Sequence, residues 1–284
     1  MIVDAPALSG PGATLRDHWP EYLIEAWLLG TFMISAGAFS SLLGYPRSPL
    51  VEVLPSGDLR RALVGVAMGL TAVALIYSPW GKRSGAHMNP AVTLTFLRLG
   101  KIARWDAAFY ISAQFAGGVL GVWLTTAVLH DAFTSAPVRY AATLPGPQGA
   151  LVAFVAEFAI SALLMSVILR VSNDPRYASF TGLCAGVLVA IYIAVEAPLS
   201  GMSMNPARSF ASAFPAGLWR HLWVYFTAPV LGMQAAAAWT LFRRGPCAVG
   251  CAKLLHPADQ RCIHCGYRPA AQGKTAARAS GALQ

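Results

Sequence analysis

Ser84-Gly85-Ala86-His87-Met88-Asn89-Pro90-Ala91 returns 116 residues later as Ser200-Gly201-Met202-Ser203-Met204-Asn205-Pro206-Ala207, with six of the eight positions identical. Each copy follows a long apolar run and precedes a shorter one, Val92 to Leu99 and Ser209 to Phe214, too short to cross a bilayer alone. Asparagine is a strong helix N-cap, and proline is tolerated in a first turn, where its missing N–H is not needed. Each box therefore reads as the start of a half-length helix at Asn-Pro. One such dipeptide would suggest a turn; a duplicated phrase in matching surroundings argues against coincidence.

The chain around the boxes is too apolar for a soluble domain of its size. Of 284 residues, 56% are hydrophobic and 12% charged, which places it in the membrane class. The formal charge of +9 does not indicate nucleic acid, because the basic residues fall between apolar runs and form no stripe with interleaved aromatics. Met1 to Pro20 lacks a basic region followed by an apolar core and cleavage site, so no signal peptide is read there.

Six runs are long enough to span: about Tyr22–Leu43, Ala62–Trp80, Trp105–Leu129, Ala150–Leu169, Phe180–Ala197 and Trp219–Phe242. Gly117, Gly118 and Gly121 inside the third read as sites of close helix packing. Lys82, Arg83, Arg98, Lys101 and Arg104, then Arg170 and Arg176, then Arg243 and Arg244 all fall on one side of six spans. An excess of Lys and Arg marks the cytoplasmic side, so both termini are expected there. Arg47, Arg60 and Arg61 fall on the other side, accompanied by Glu52 and Asp58.

Divided near Pro147, each half holds three spans with a box between its second and third. Three is odd, so the second half enters from the opposite face. The fold class expected is an all-α membrane protein, six transmembrane helices plus two re-entrant half-helices in an inverted repeat. Irregular backbone at membrane depth must be buried in protein or line a wet cavity, which predicts a path between the halves. There the half-helix N-termini would meet, with Asn89 and Asn205 capping them and presenting N–H donors to a passing oxygen.

The paired Asn89-Pro90-Ala91 and Asn205-Pro206-Ala207 boxes, with Arg208 directly after the second, resemble those of the aquaporin and glycerol-facilitator family over roughly residues 20 to 243. The resemblance implies a passive channel for water and small neutral solutes such as glycerol that excludes protons and ions. It further implies a homotetramer in the lipid bilayer of a plasma (inner) membrane, no enzyme activity and no cofactor for transport. A secondary transporter with broken-helix inverted repeats is the alternative. In the family, the Arg208 position belongs to an outer constriction. Spacing carries its other members to Met202, to Ile193 or Tyr192, and to Met68 or Gly69. Water-selective members usually have histidine where Ile193 falls, and glycerol-conducting members aspartate where Ser209 stands, so neither signature is complete. Met68, Ile193 and Met202 would make an apolar collar with Arg208 as nearly its only donor.

Glu25 and Glu157 hold matching places in the two halves, which suggests acceptors for loop N–H groups and not acid–base chemistry. His87 has no partner at triad spacing and reads as a hydrogen-bonding residue of the first loop. The expected divisions are a cytoplasmic N-terminal segment (1–20), an aquaporin-like channel domain (21–243; repeats 21–130 and 150–243), a Cys/His-rich cytoplasmic tail (244–268) and a disordered segment (269–284). In the tail, Cys251, His256, Cys262 and Cys265 have the character of a zinc site, with Cys247 or His264 as substitutes.

Overall fold

The computed structural model describes residues 10–269, in which every regular element is a helix. In chain order these are α1 (Pro11–Gly44), α2 (Pro49–Val53), α3 (Gly57–Tyr77), α4 (Pro79–Ser84), α5 (Pro90–Arg98), α6 (Arg104–Leu129), α7 (Asp131–Thr134), α8 (Ala150–Val171), α9 (Thr181–Val195), α10 (Ala197–Ser200), α11 (Pro206–Ala216) and α12 (Leu222–Arg244). The segment expected to be disordered, 269–284, lies outside the described residues except for Pro269, as do residues 1–9 of the N-terminal segment.

Five helices, α1, α3, α6, α8 and α9 with its preceding turn, are long and apolar enough to cross a membrane. The sixth, α12, has 23 residues and packs along α8, but Tyr225, Thr227, Gln234 and two tryptophans dilute its apolar character. Leu70, Leu124, Val128, Leu151, Val155 and Phe242 are exposed on the outside of the bundle, an arrangement that suits lipid and not water.

The first helix starts well before Tyr22. Pro11 occupies its first turn, and the added turns are tied to α6, where Asp106 accepts from the Tyr22 hydroxyl (2.6 Å) and meets His18 Nδ1 (2.8 Å). The second span also ends earlier than expected, at Tyr77. Ser78 then caps a separate short helix, α4, by accepting from Gly81 N–H.

The halves correspond element by element: α1 with α8, α3 with α9, α4 with α10, α5 with α11 and α6 with α12. Within each half the first and third spans pack together (α1 on α6, α8 on α12), while α3 and α9 join the halves. Glycines permit the close approach. A Cβ on Gly117 would lie 2.0 Å from the Ala26 carbonyl oxygen, and one on Gly69 would lie 2.5 Å from that of Gly186.

The tail was set apart from the helical body by its composition, but it folds back onto the end of the bundle that carries α4. Leu254 N–H donates to Gly85 O (3.2 Å), Gly250 N–H to Asn173 Oδ1 (2.7 Å), Lys253 Nζ to Lys82 O (3.0 Å) and Arg261 to Asp17 O (3.2 Å). Val249, Ala252 and Leu254 are buried there. This is the tail end of the bundle; the other is the arginine end, for Arg208.

Gly117→Val should lower the stability of the detergent-solubilised protein by about 1–3 kcal/mol, because α1 and α6 must separate to admit the side chain. Thermal unfolding followed by tryptophan fluorescence reads the loss; an unchanged midpoint would contradict the packing.

Candidate functional site

Both boxes are built the same way. Gly85 and Gly201 end α4 and α10 with φ of +105° and +81°, and after each come two side-chain-bearing residues that also have positive φ: Ala86 and Met88, Met202 and Met204. Such backbone costs about 1–3 kcal/mol per residue unless its surroundings hold it. Here a buried carboxylate does so. Glu25 on α1 accepts from Ser84 Oγ (2.7 Å), His87 N–H (3.1 Å) and Met88 N–H (2.7 Å), with Gln114 Nε2 adding a fourth bond (2.8 Å). Glu157 on α8 accepts from Ser200 Oγ (2.7 Å), Ser203 N–H (2.6 Å) and Met204 N–H (2.7 Å). Both glutamates are 0% exposed. A tyrosine closes each loop from behind: Tyr110 donates to Ser84 O (2.8 Å) and Tyr225 to Ser200 O (2.5 Å).

The asparagines do two jobs each. Asn89 Oδ1 accepts from Ala91 N–H (2.8 Å), and Asn205 Oδ1 from Ala207 and Arg208 N–H (3.1 and 3.2 Å), so each caps its half-helix. Their amide nitrogens reach across: Asn89 Nδ2 donates to Met204 O (2.6 Å) and Asn205 Nδ2 to Met88 O (2.7 Å). One N–H of each amide thus ties the boxes together. Pro90, Ala91, Pro206 and Ala207 form the buried first turns of α5 and α11.

A cavity of about 530 Å³ lies between the halves. Asn89 and Asn205 line it, as do Met68, Ile193, Met202 and Arg208, whereas Gly69 and Tyr192 do not. Gly69 instead faces α9. Arg208 is held at the arginine end, where Nη1 donates to Ala141 O (2.6 Å). Arg60 and Arg61 also line the cavity, which the sequence reading did not anticipate. Arg61 is pinned by Ala194 O (3.0 Å) and Asp58 (3.0 Å), and Arg60 by Pro55 O (3.0 Å).

At the tail end, His87 bonds to Thr93 Oγ1 through Nδ1 (3.0 Å) and to Ala252 O through Nε2 (2.7 Å). Beneath it the ligand atoms of Cys251, His256, Cys262 and Cys265 all lie within 4.8 Å of one another. Two of the pairs, Cys251 Sγ with Cys262 Sγ and His256 Nε2 with Cys265 Sγ, are 3.4 and 3.2 Å apart. A tetrahedral zinc with arms of about 2.0–2.3 Å needs edges of about 3.5–3.8 Å, so small shifts would admit the ion. Bonding to Cys251 pulls the Cys262 thiol far below its ordinary range, while the same bond and burial push Cys251 up. The substitutes are elsewhere: Cys247 is exposed, and His264 turns toward Ser84 O (3.1 Å) and the Tyr110 hydroxyl (3.3 Å).

The family model described as major intrinsic protein matches residues 17–240. This chain belongs to that family. It is similar to the NIP4-1 protein of Arabidopsis thaliana, 40% identical over 185 residues that make up 65% of this chain and 63% of that one. The alignment thus covers less than two thirds of that relative. It is similar also to aquaporin NIP2-2 of Zea mays, 32% identical over 235 residues, 82% of this chain and 76% of the other. Among solved structures, the aquaglyceroporin from Plasmodium falciparum shares the fold with a TM-score of 0.69 at 20% identity, covering 81% of this chain and 98% of that one.

Tyr110, Tyr225 and the serines Ser84 and Ser200 were missed in the sequence. The serines stand at the same place in both phrases, and that duplication was the available signal.

Glu157→Ala should strip three donors of their acceptor and cost about 3 kcal/mol, with Glu157→Gln costing less because one acceptor oxygen survives. Thermal midpoints in detergent should rank wild type above Gln above Ala; equal midpoints would remove the supporting role.

Proposed function

We propose that the chain is a passive channel for water and small neutral solutes such as glycerol, turning back protons and ions. The observation that carries this reading is the cavity of about 530 Å³ that Asn89, Asn205 and Arg208 line together. Channel and not enzyme is also what membership of the family supports. The positive ends of α5 and α11 converge at the asparagines, each equivalent to roughly half an elementary charge. A permeant oxygen accepts the second N–H of each amide, so a water's own hydrogens point away along the file. Proton hopping needs an unbroken chain of donors and is interrupted there, as in aquaporin-type pores generally.

Met68, Ile193 and Met202 form the apolar part of the collar, and Arg208 supplies its charge and donors. A ring of this kind repels cations and contacts CH groups well, which suits glycerol as well as water. Secondary transport is the weaker reading, because among the described residues no carboxylate lines the cavity to bind a coupling cation.

The tail end faces the cytoplasm in this reading, in keeping with Lys82, Arg83, Arg243 and Arg244 there, and the membrane is a plasma (inner) membrane. The oligomer is a homotetramer, on the strength of family membership; chemical cross-linking in detergent that stops at the monomer would remove it. Transport itself needs no cofactor. Cys251, His256, Cys262 and Cys265 hold one zinc ion, a role supported by the closeness of their ligand atoms.

Proteoliposomes prepared with chelator should shrink and then reswell in hyperosmotic glycerol faster than protein-free vesicles. Shrinkage without faster reswelling would restrict the channel to water. Arg208→Ala should raise cation leak about tenfold or more, since removing a desolvated charge lowers the ion's barrier by at least about 1.4 kcal/mol. A dye-based sodium assay showing no rise would contradict the arginine's role.

A further inference from the structure

We infer that the tail is a metal-locked plug: with zinc on Cys251, His256, Cys262 and Cys265, it closes the tail-end mouth of the cavity through Leu254, and loss of the metal opens it. The inference rests on the zinc reading above and adds what that zinc regulates.

Leu254 is the tail's own contribution to the cavity wall, 4% exposed, with its N–H on Gly85 O, four residues ahead of Asn89. Its neighbours lie across the same loop. Ala252 O accepts from His87 Nε2, and Lys253, 2% exposed, donates from Nζ to Lys82 O and Arg261 O (3.0 and 3.4 Å). Residues 252–254 thus seal the stretch from Lys82 to His87 through the Ala252 carbonyl, the Lys253 ammonium and the Leu254 N–H, and present one apolar side chain to the path. An apolar side chain in a narrow aqueous mouth gates by excluding water.

This stretch has no helix or strand of its own to hold it. Beyond those hydrogen bonds, the stretch is flanked by two of the four metal-ligand residues, Cys251 before and His256 after. The other arm of the cluster is anchored to the same loop. Between Cys262 and Cys265, the His264 ring stacks on His87 (centroids 5.8 Å apart, 10° between planes) and its Nε2 meets Ser84 O. Gly266, with φ +73°, returns the chain so that Cys262 N–H donates to Tyr267 O (2.8 Å). Closing four ligands on one ion would fix both arms against His87, so the free energy of metal binding becomes free energy of seating the plug. Repeat two cannot be plugged this way, because Ser203 stands where His87 does and turns its hydroxyl to Asn205 O and Ser209 (3.0 and 2.6 Å).

The test uses the full chain in proteoliposomes, with zinc per chain measured by atomic emission and water flux by stopped-flow light scattering. Zinc-loaded wild type should hold one zinc and conduct little, and a membrane-permeant zinc chelator should raise its flux by about threefold or more. Leu254→Ala should conduct at the raised rate while keeping its zinc, and Cys265→Ser should lose zinc and conduct at that rate. A wild type that holds one zinc yet conducts as fast as Leu254→Ala and the chelated protein would overturn the plug and leave the metal site standing. Zinc far below one per chain would overturn the metal lock, and Leu254→Ala without effect would overturn the plug as well. Flux no greater than in protein-free vesicles for every preparation would instead defeat the conduction reading on which both depend.

Discussion

Asn89 and Asn205 each give one amide hydrogen to the backbone of the other's loop, at Met204 O and Met88 O. Since the same side chains cap α5 and α11, the two half-helices are joined tip to tip by four hydrogen-bonding groups whose positions determine one another. Two like dipole ends repel, and irregular loops at membrane depth have no water to satisfy them. The exchange offsets the first problem by giving two carbonyl oxygens to the positive centre. The buried Glu25 and Glu157 offset the second by accepting the loop N–H groups that the positive-φ residues turn toward them. Tyr110 and Tyr225 then tie the ends of α4 and α10, from which the loops leave, to α6 and α12.

This frame is nearly symmetric, and function enters where the symmetry fails. At one end Arg208 stands where the first repeat has Val92, and it is fixed by Ala141 O in the segment that joins the two repeats. Arg60 and Arg61 join it at the cavity, their charges turned partly onto backbone oxygens and Asp58. That pinning explains how arginines at the arginine end coexist with the larger basic clusters at the other. At the tail end His87 replaces Ser203 and offers Nε2 to Ala252 O, so a segment foreign to the repeat has something to grip. One frame thus carries two different mouths.

Much of the architecture was legible in the chain itself because its causes are local or repeated. The half-helices followed from Asn-Pro caps before short apolar runs, the spans from run length, and the inversion from an odd number of spans per half. What was not legible depended on faces and distances. Met68 and Gly69 could not be separated, since adjacent helical residues point about 100° apart and only packing tells which face is buried. Gly69 is spent on the contact with Gly186, and Met68 is left to the cavity. The choice between Ile193 and Tyr192 rested on the same ambiguity.

By itself the sequence determined a membrane protein of two inverted halves, two capped half-helices, a charge beside the second and a cluster of metal-binding residue types behind the last span. Tertiary structure alone decided where the amide hydrogens of Asn89 and Asn205 go, which side chains face the cavity, and that the tail lies on the first box and not in solvent. The division has one physical reason. Caps, apolar runs and ligand spacing are properties of neighbours in the chain, while Leu254 beside Gly85 and His264 over His87 are contacts between residues more than 160 positions apart, and only the folded backbone brings them together.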